Sequence, residues 1–145
     1  MSNETNKALA RRFYEQVLNG RQVHVIDEIA AAGYDEHDPL PGQGKGREGL
    51  KNRVTMLVAG LAPTFTIEDL VAEGDRVVVR WTNSGRHVGD FLGTAPTDRP
   101  YAIAGIDIYR IEDDRLAEHW HVVDQLSMLQ QLGLLPAPDG APAQV

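Results

Sequence analysis

The chemistry of this chain is concentrated near its C-terminal end, in the run Glu118-His119-Trp120-His121-Val122-Val123-Asp124. Seven residues there hold two acids, two imidazoles and an indole. In a strand, side chains alternate between faces, so Trp120, Val122 and Asp124 share one side and His119, His121 and Val123 the other. An acid sharing a face with Trp and Val is expected to be desolvated, which disfavours its charged form and moves it towards the range of a general base. Asp124 equally well reads as the N-cap of the helix expected over 125–132. The run itself does not choose between the two.

A second acid is out of place in Tyr101-Ala102-Ile103-Ala104-Gly105-Ile106-Asp107-Ile108-Tyr109-Arg110-Ile111, where Asp107 shares a face with Ile103, Gly105, Tyr109 and Ile111. If Asp107 and Asp124 face one cavity from adjacent strands, they form a carboxylate pair that shares a proton near neutral pH. Such a pair takes a proton from carbon and returns one to oxygen. His37 and His87 are the alternative proton partners, and His87 continues the alternation of Trp81, Asn83 and Gly85. His119 and His121 fall on the outer face, where a subunit contact is expected. No third ligand stands near them, so no metal is expected. Tyr14, Trp81, Tyr109 and Trp120 are candidates for flat aromatic walls around a ligand. Asn52, Asn83 and Arg86 are the residues available to orient a hydrolytic water.

These residues need a scaffold. Residues 4–19 carry an apolar stripe at Leu9, Phe13 and Val17, and 22–32 and 47–60 repeat the helical spacing. The third of these has Leu50, Val54, Leu57, Val58 and Leu61 on one side. After Pro63 the period becomes two. Strands are expected over 64–73, 76–84, 99–111 and 115–123, with 86–92 as strand or irregular edge and 34–39 as a short extended piece. Helices followed by an antiparallel meander give an α+β class, in which a strongly twisted sheet curls around a helix layer and leaves a ligand cavity between them. A single domain over 1–145 is expected, with a folded core of about 5–134 and an Ala/Pro-rich tail over 136–145.

Composition narrows the function. A net charge of −7 with 14 scattered Lys and Arg disfavours nucleic acid as a partner. With no cysteine, thiol nucleophiles, disulfides and cysteine metal sites are excluded, in keeping with a cytoplasmic location. No apolar stretch approaches a membrane span. Gly42-Gln43-Gly44-Lys45-Gly46-Arg47 lacks phosphate-loop spacing, and no GxSxG elbow occurs.

Three stretches together resemble the SnoaL-like polyketide cyclases, also called ester-cyclase-like proteins, of the nuclear transport factor 2-like superfamily. They are Tyr34–Gly42, Gly85–Arg99, and Gly105–Ile111 running on to Glu118–Leu126. The likeness spans about residues 5–134. It implies a cone-shaped α+β barrel with three N-terminal helices on a curved antiparallel sheet, a homo-oligomer (dimer or tetramer), no cofactor, and a small apolar or aromatic ligand. It further implies aldol-type ring closure by acid/base chemistry, with the catalytic aspartate at the end of the last strand, here Asp124. Some members have histidine at the position of Asp107, and this chain departs from them there. A non-catalytic binding module of the same fold and a hydrolase, isomerase or hydroxylation-associated relative are the alternatives.

Overall fold

In the computed structural model, residues 2–137 are described; the tail expected over 136–145 lies almost wholly outside them. Helix α1 (Asn3–Arg12) is opened by a capping box in which Ser2 and Thr5 satisfy each other's backbone. It does not stop at Arg12 but widens into a π-helical stretch, Phe13–Asn19. The wider turn brings Phe13, Tyr14, Val17 and Leu18 all into the interior. A 3₁₀ turn (Val23–Val25) and a short α2 (Ile26–Ile29) follow. The remaining elements are β1 (Ala30–Glu36), α3 (Gly46–Leu61), β2 (Thr64–Glu73), β3 (Arg76–Arg86), β4 (Pro100–Glu112), β5 (Arg115–Val123) and α4 (Gln125–Gln131).

The five strands form one mixed sheet in the order β1-β5-β4-β3-β2. Strands β2 to β5 are the expected antiparallel meander. β1 adds a parallel edge beside β5, which the sequence reading missed. The helix expected over 22–32 therefore ends early. Its last residues are good helix formers, but Ala30 pairs with Leu116, and the carbonyls of Asp27 and Ala30 accept from the guanidinium of Arg115. Tertiary pairing outweighs local propensity here. Residues 87–99 are an irregular loop closed by a bridge between Phe91 and Thr94, so the strand extension considered for 86–92 is not made. No helix among the described residues is long and apolar enough to cross a membrane.

Two local features set up the interior. Trp81 on β3 lies opposite Gly105 on β4, and its indole crosses directly over that glycine. A Cβ at position 105 would lie 2.2 Å from Trp81 Cζ2, so only glycine lets the indole lie flat across the sheet. The second is a β-bulge in β5. Arg110 pairs with Glu118 but Ile111 pairs with Leu116, which leaves Ala117 as an extra residue. Leu116 and Ala117 are both buried, and alternation resumes one step out of phase. His119, His121 and Val123 thus face the helices, while Trp120 and Val122 face outward. Both histidines sit on the inner face, not on the outer one assigned from alternation alone.

Candidate functional site

Between the concave sheet face and the helices lies a cavity with about 680 Å³ of non-atom space, counted out through its opening. Leu50, Leu57 and Leu61 from α3, Phe65 from β2 and Ile103 from β4 make most of it apolar. One end is polar, built around Asp107.

Asp107 is 6% exposed and accepts hydrogen bonds on both oxygens. The Trp81 Nε1–H donates to Oδ2 at 2.8 Å, and the Tyr14 hydroxyl donates to the same oxygen. The Tyr109 hydroxyl lies 2.9 Å from that of Tyr14 and 3.5 Å from Oδ2. On the other side, His119 Nε2 lies 2.9 Å from Oδ1. Burial by itself would push the Asp107 carboxyl up. The charge and hydrogen bond of His119, with the Tyr14 hydroxyl, outweigh burial and hold it below the usual carboxylate value.

His119 reaches a second carboxylate with its other nitrogen: Nδ1 is 2.7 Å from Glu36 Oε2, on β1. A ring with a carboxylate at each nitrogen donates from both and is an imidazolium. Burial works against that charge, yet Asp107 and Glu36 prevail and push the His119 pKa up to about 9. Tyr109 stacks on the imidazolium with ring centroids 4.8 Å apart. For Glu36, burial would raise the carboxyl, but His119 and Arg53 bring it below its ordinary value.

Arg53 and His121 complete the polar end. Arg53 projects from α3 with Nη1 3.8 Å from Glu36 and Nη2 3.1 Å from His121 Nδ1. A guanidinium only donates, so His121 Nδ1 accepts and the proton of the neutral ring sits on Nε2. Burial, the Arg53 charge and the His119 charge together lower the His121 pKa, so the ring is neutral at pH 7. Its Nδ1 is 4.0 Å from Asp107 Oδ1. Tyr34, buried and pushed well above its ordinary pKa by burial and by Glu36, lines the same end as a neutral phenol.

The expected site residues divide between this cluster and the exterior. Asp107, Trp81 and Tyr109 line the cavity, and Tyr14 holds Asp107 from behind. Asp124 does not join them. It is exposed and caps α4, accepting from the Ser127 N–H at 3.1 Å. The bulge at Ala117 turns it out of the interior, so the burial behind its expected role as a base is absent. The proposed Asp107–Asp124 pair fails for the same reason, because the cross-strand neighbour of Asp107 is His121. His37 and Trp120 stack on each other at 4.6 Å on the outer surface, with the Arg76 guanidinium 4.9 Å from the indole. Asn52 is exposed and accepts from the Gly44 N–H. His87 is buried in the β3–β4 loop, where its Nδ1 accepts from the Thr97 N–H at 3.2 Å, away from the cavity. None of these four is placed to touch a ligand in the cavity.

Glu36, Tyr34 and Arg53 were missed. Arg53 had a readable signal: it falls three residues after Leu50 and four before Leu57, on the apolar face of α3. Glu36 had none, because its placement depends on the parallel pairing of β1. It does supply the third ligand type that His119 and His121 lacked, with the three ligand atoms within 4.8 Å. The set suits a metal poorly. A dication there would face Arg53 and require His119 to give up a proton that two carboxylates hold.

The sequence profile of the SnoaL-like polyketide cyclases matches residues 8–132. The aklanonic acid methyl ester cyclase DnrD of Streptomyces peucetius is 30% identical over 139 residues, covering 91% of this chain and 94% of that one. Among solved structures, TsrD from Streptomyces laurentii superposes with a TM-score of 0.85 at 32% identity, covering 93% of this chain and 99% of its own. IdmH from Streptomyces antibioticus gives 0.76 at 28%, covering 88% and 98%.

The raised His119 pKa makes stability depend on pH with a definite sign. The unfolded histidine titrates near 6.5 and the folded one near 9. The stabilisation is therefore complete below the lower value and lost as the pH rises through the upper one. Urea unfolding across this window is expected to show stability falling, by on the order of a few kcal/mol in total. In Glu36→Gln, which removes one of the two carboxylates, the fall moves to lower pH. Identical profiles for the two proteins would contradict the assignment.

Proposed function

The chain belongs to the SnoaL-like polyketide cyclase family, and from that premise we propose that it is a cofactor-independent enzyme closing a ring in a polyketide ester by intramolecular aldol condensation. The observation that carries this reading is the buried Asp107 carboxylate beside a neutral His121, which the cationic Arg53 contacts in turn, at one end of an apolar cavity. Burying this many charged groups is costly, and a pure binder of apolar ligands gains nothing from it.

Each group has a role matched to its state. Asp107 Oδ2 is engaged by Trp81 and the tyrosines, whereas among the described residues Oδ1 accepts from His119 alone, which leaves it a second lone pair. That oxygen takes the proton from the substrate carbon. A resting carboxylate of low pKa is a weak base, so the carbon must be acidified, as one flanked by two carbonyls is. Arg53 and the Nε2–H of His121 stabilise the enolate oxygen as its charge develops. The enolate carbon then attacks the ketone carbon. One C–C bond forms, the carbonyl π bond opens, and the new alkoxide receives the proton that Asp107 took. Product and substrate are isomers, and the enzyme returns to its starting state.

The net charge of the polar end is zero, with Asp107 and Glu36 balanced by His119 and Arg53. A neutral ester fits that balance better than a free acid. A compound of the kind named for DnrD, aklanonic acid methyl ester, is accordingly the substrate to try first. Incubation with it is expected to yield an isomeric ring-closed product. His121→Ala should lower kcat by about 10²–10³-fold, while the exposed Asp124→Asn leaves it unchanged. If folded protein neither closes the ring nor exchanges the acidic C–H with deuterated water, the assignment is wrong.

The outer sheet face supports a homo-oligomer on different grounds from those first expected. Ile106, Ile108 and Val122 are exposed there, with Ile106 directly opposite Val122 on the neighbouring strand. A contiguous apolar patch of this kind marks an association surface, and a second copy of the chain is proposed to cover it. Sedimentation should show a dimer or tetramer that Val122→Asp dissociates. A wild-type monomer at micromolar concentration would refute it.

A further inference from the structure

The cavity extends well beyond the catalytic end. Asp107 on β4 lies opposite Val79 on β3, and Asn83 stands four residues further along β3, opposite Ile103. At about 3.3 Å per residue the two levels are roughly 13 Å apart. The far end is walled by Leu18, Leu61, Phe65, Phe91 and Ile103. Among these apolar side chains Asn83 is 3% exposed, and it lines the cavity.

The Asn83 amide is only half used. Its Oδ1 lies 3.3 Å from the Tyr101 hydroxyl, whose single hydrogen also lies within reach of the Leu61 carbonyl, at 3.0 Å from the hydroxyl oxygen. Among the described residues its amide nitrogen has no hydrogen-bond partner, and it is not one of the side-chain atoms sealed from the cavity without one. Holding Tyr101 needs one polar atom. A primary amide brings a second, and leaving that one unpaired in an apolar wall is unfavourable unless a ligand pairs it.

We propose that Asn83 is the specificity-determining residue of the far end, donating a hydrogen bond to a carbonyl or phenol oxygen on the substrate ring farthest from the reacting carbon. The site then takes an extended, oxygen-substituted fused aromatic in preference to a bare hydrocarbon of the same shape. This rests on the reading above only in that the cavity holds a conjugated ring system; it does not depend on turnover. The substrate enters with its acidic carbon at Asp107 and its oxygenated ring at Asn83, which fixes its direction in the cavity.

Equilibrium binding of quinizarin (1,4-dihydroxyanthraquinone) and of anthracene, read by quenching of the fluorescence of Trp81 in the cavity wall, tests this. Asn83→Leu is expected to weaken quinizarin by about fivefold to tenfold, the worth of one net hydrogen bond, and to leave anthracene within about twofold. Asn83→Asp, which replaces the donor by a charged acceptor and stays close in shape, should lose quinizarin at least as strongly. It serves as the second variant should Asn83→Leu not fold. An unchanged quinizarin affinity in a folded variant overturns the role of Asn83 alone. If neither compound binds the wild type, the aromatic-cavity reading falls, and this inference with it.

Discussion

A positive charge buried between two negative ones organises this protein. His119 donates to Asp107 through Nε2 and to Glu36 through Nδ1, and both contacts are shielded from water. Each ion would be costly to bury alone, and removing one partner of such a set typically costs about 3–5 kcal/mol. The three residues come from three different strands, β5, β4 and β1. The network therefore ties the parallel edge strand to the meander. It also fixes the protonation of everything around it: Asp107 and Glu36 stay ionised, and His121 stays neutral beside two cations.

The other features of the site follow from the demands of that network. Asp107 needs donors on its second oxygen. Trp81 supplies one by lying across Gly105, and Tyr14 supplies another from the π-helical widening of the first helix. His119 must point inward, which it does only because of the extra residue at Ala117. Arg53 balances Glu36 and, through His121 Nδ1, sets the tautomer of a ring that lines the cavity. In the proposed cyclisation, proton transfer falls to Asp107 Oδ1, with Arg53 and His121 as the donors at the same end of the cavity. Under that proposal, orientation of the substrate in the cavity would supply much of the rest, roughly 7–11 kcal/mol at best for an intramolecular reaction.

The meander, the apolar face of α3 and the inward position of Asp107 were legible in the sequence because each rests on local periodicity. The wrong face for His119, His121 and Asp124 came from the same periodicity, carried through a bulge that leaves no local trace. Counting from the buried Leu116, strict alternation puts Trp120, Val122 and Asp124 inside; one inserted residue puts them all outside. Nothing in Leu116-Ala117-Glu118 announces the insertion. Glu36 was hidden for a related reason, since a parallel edge strand is specified by its partner across the sheet and not by its own composition. The family resemblance led to the correct fold, but the strand-end Asp124 to which it carried the catalytic role stands exposed as the cap of α4.

The central claim, that His119 is an imidazolium and His121 a neutral donor in the same cavity, is open to direct observation. Nitrogen-15 NMR of the imidazoles distinguishes a doubly protonated ring from either neutral tautomer. His119 is expected to show two protonated nitrogens throughout neutral pH, titrating only near 9. His121 should show one protonated nitrogen, Nε2, with its titration below the ordinary histidine value. If His119 instead titrates near 6.5, or if His121 carries its proton on Nδ1, the charge network is not as described and the assignment of Asp107 as the base loses its foundation.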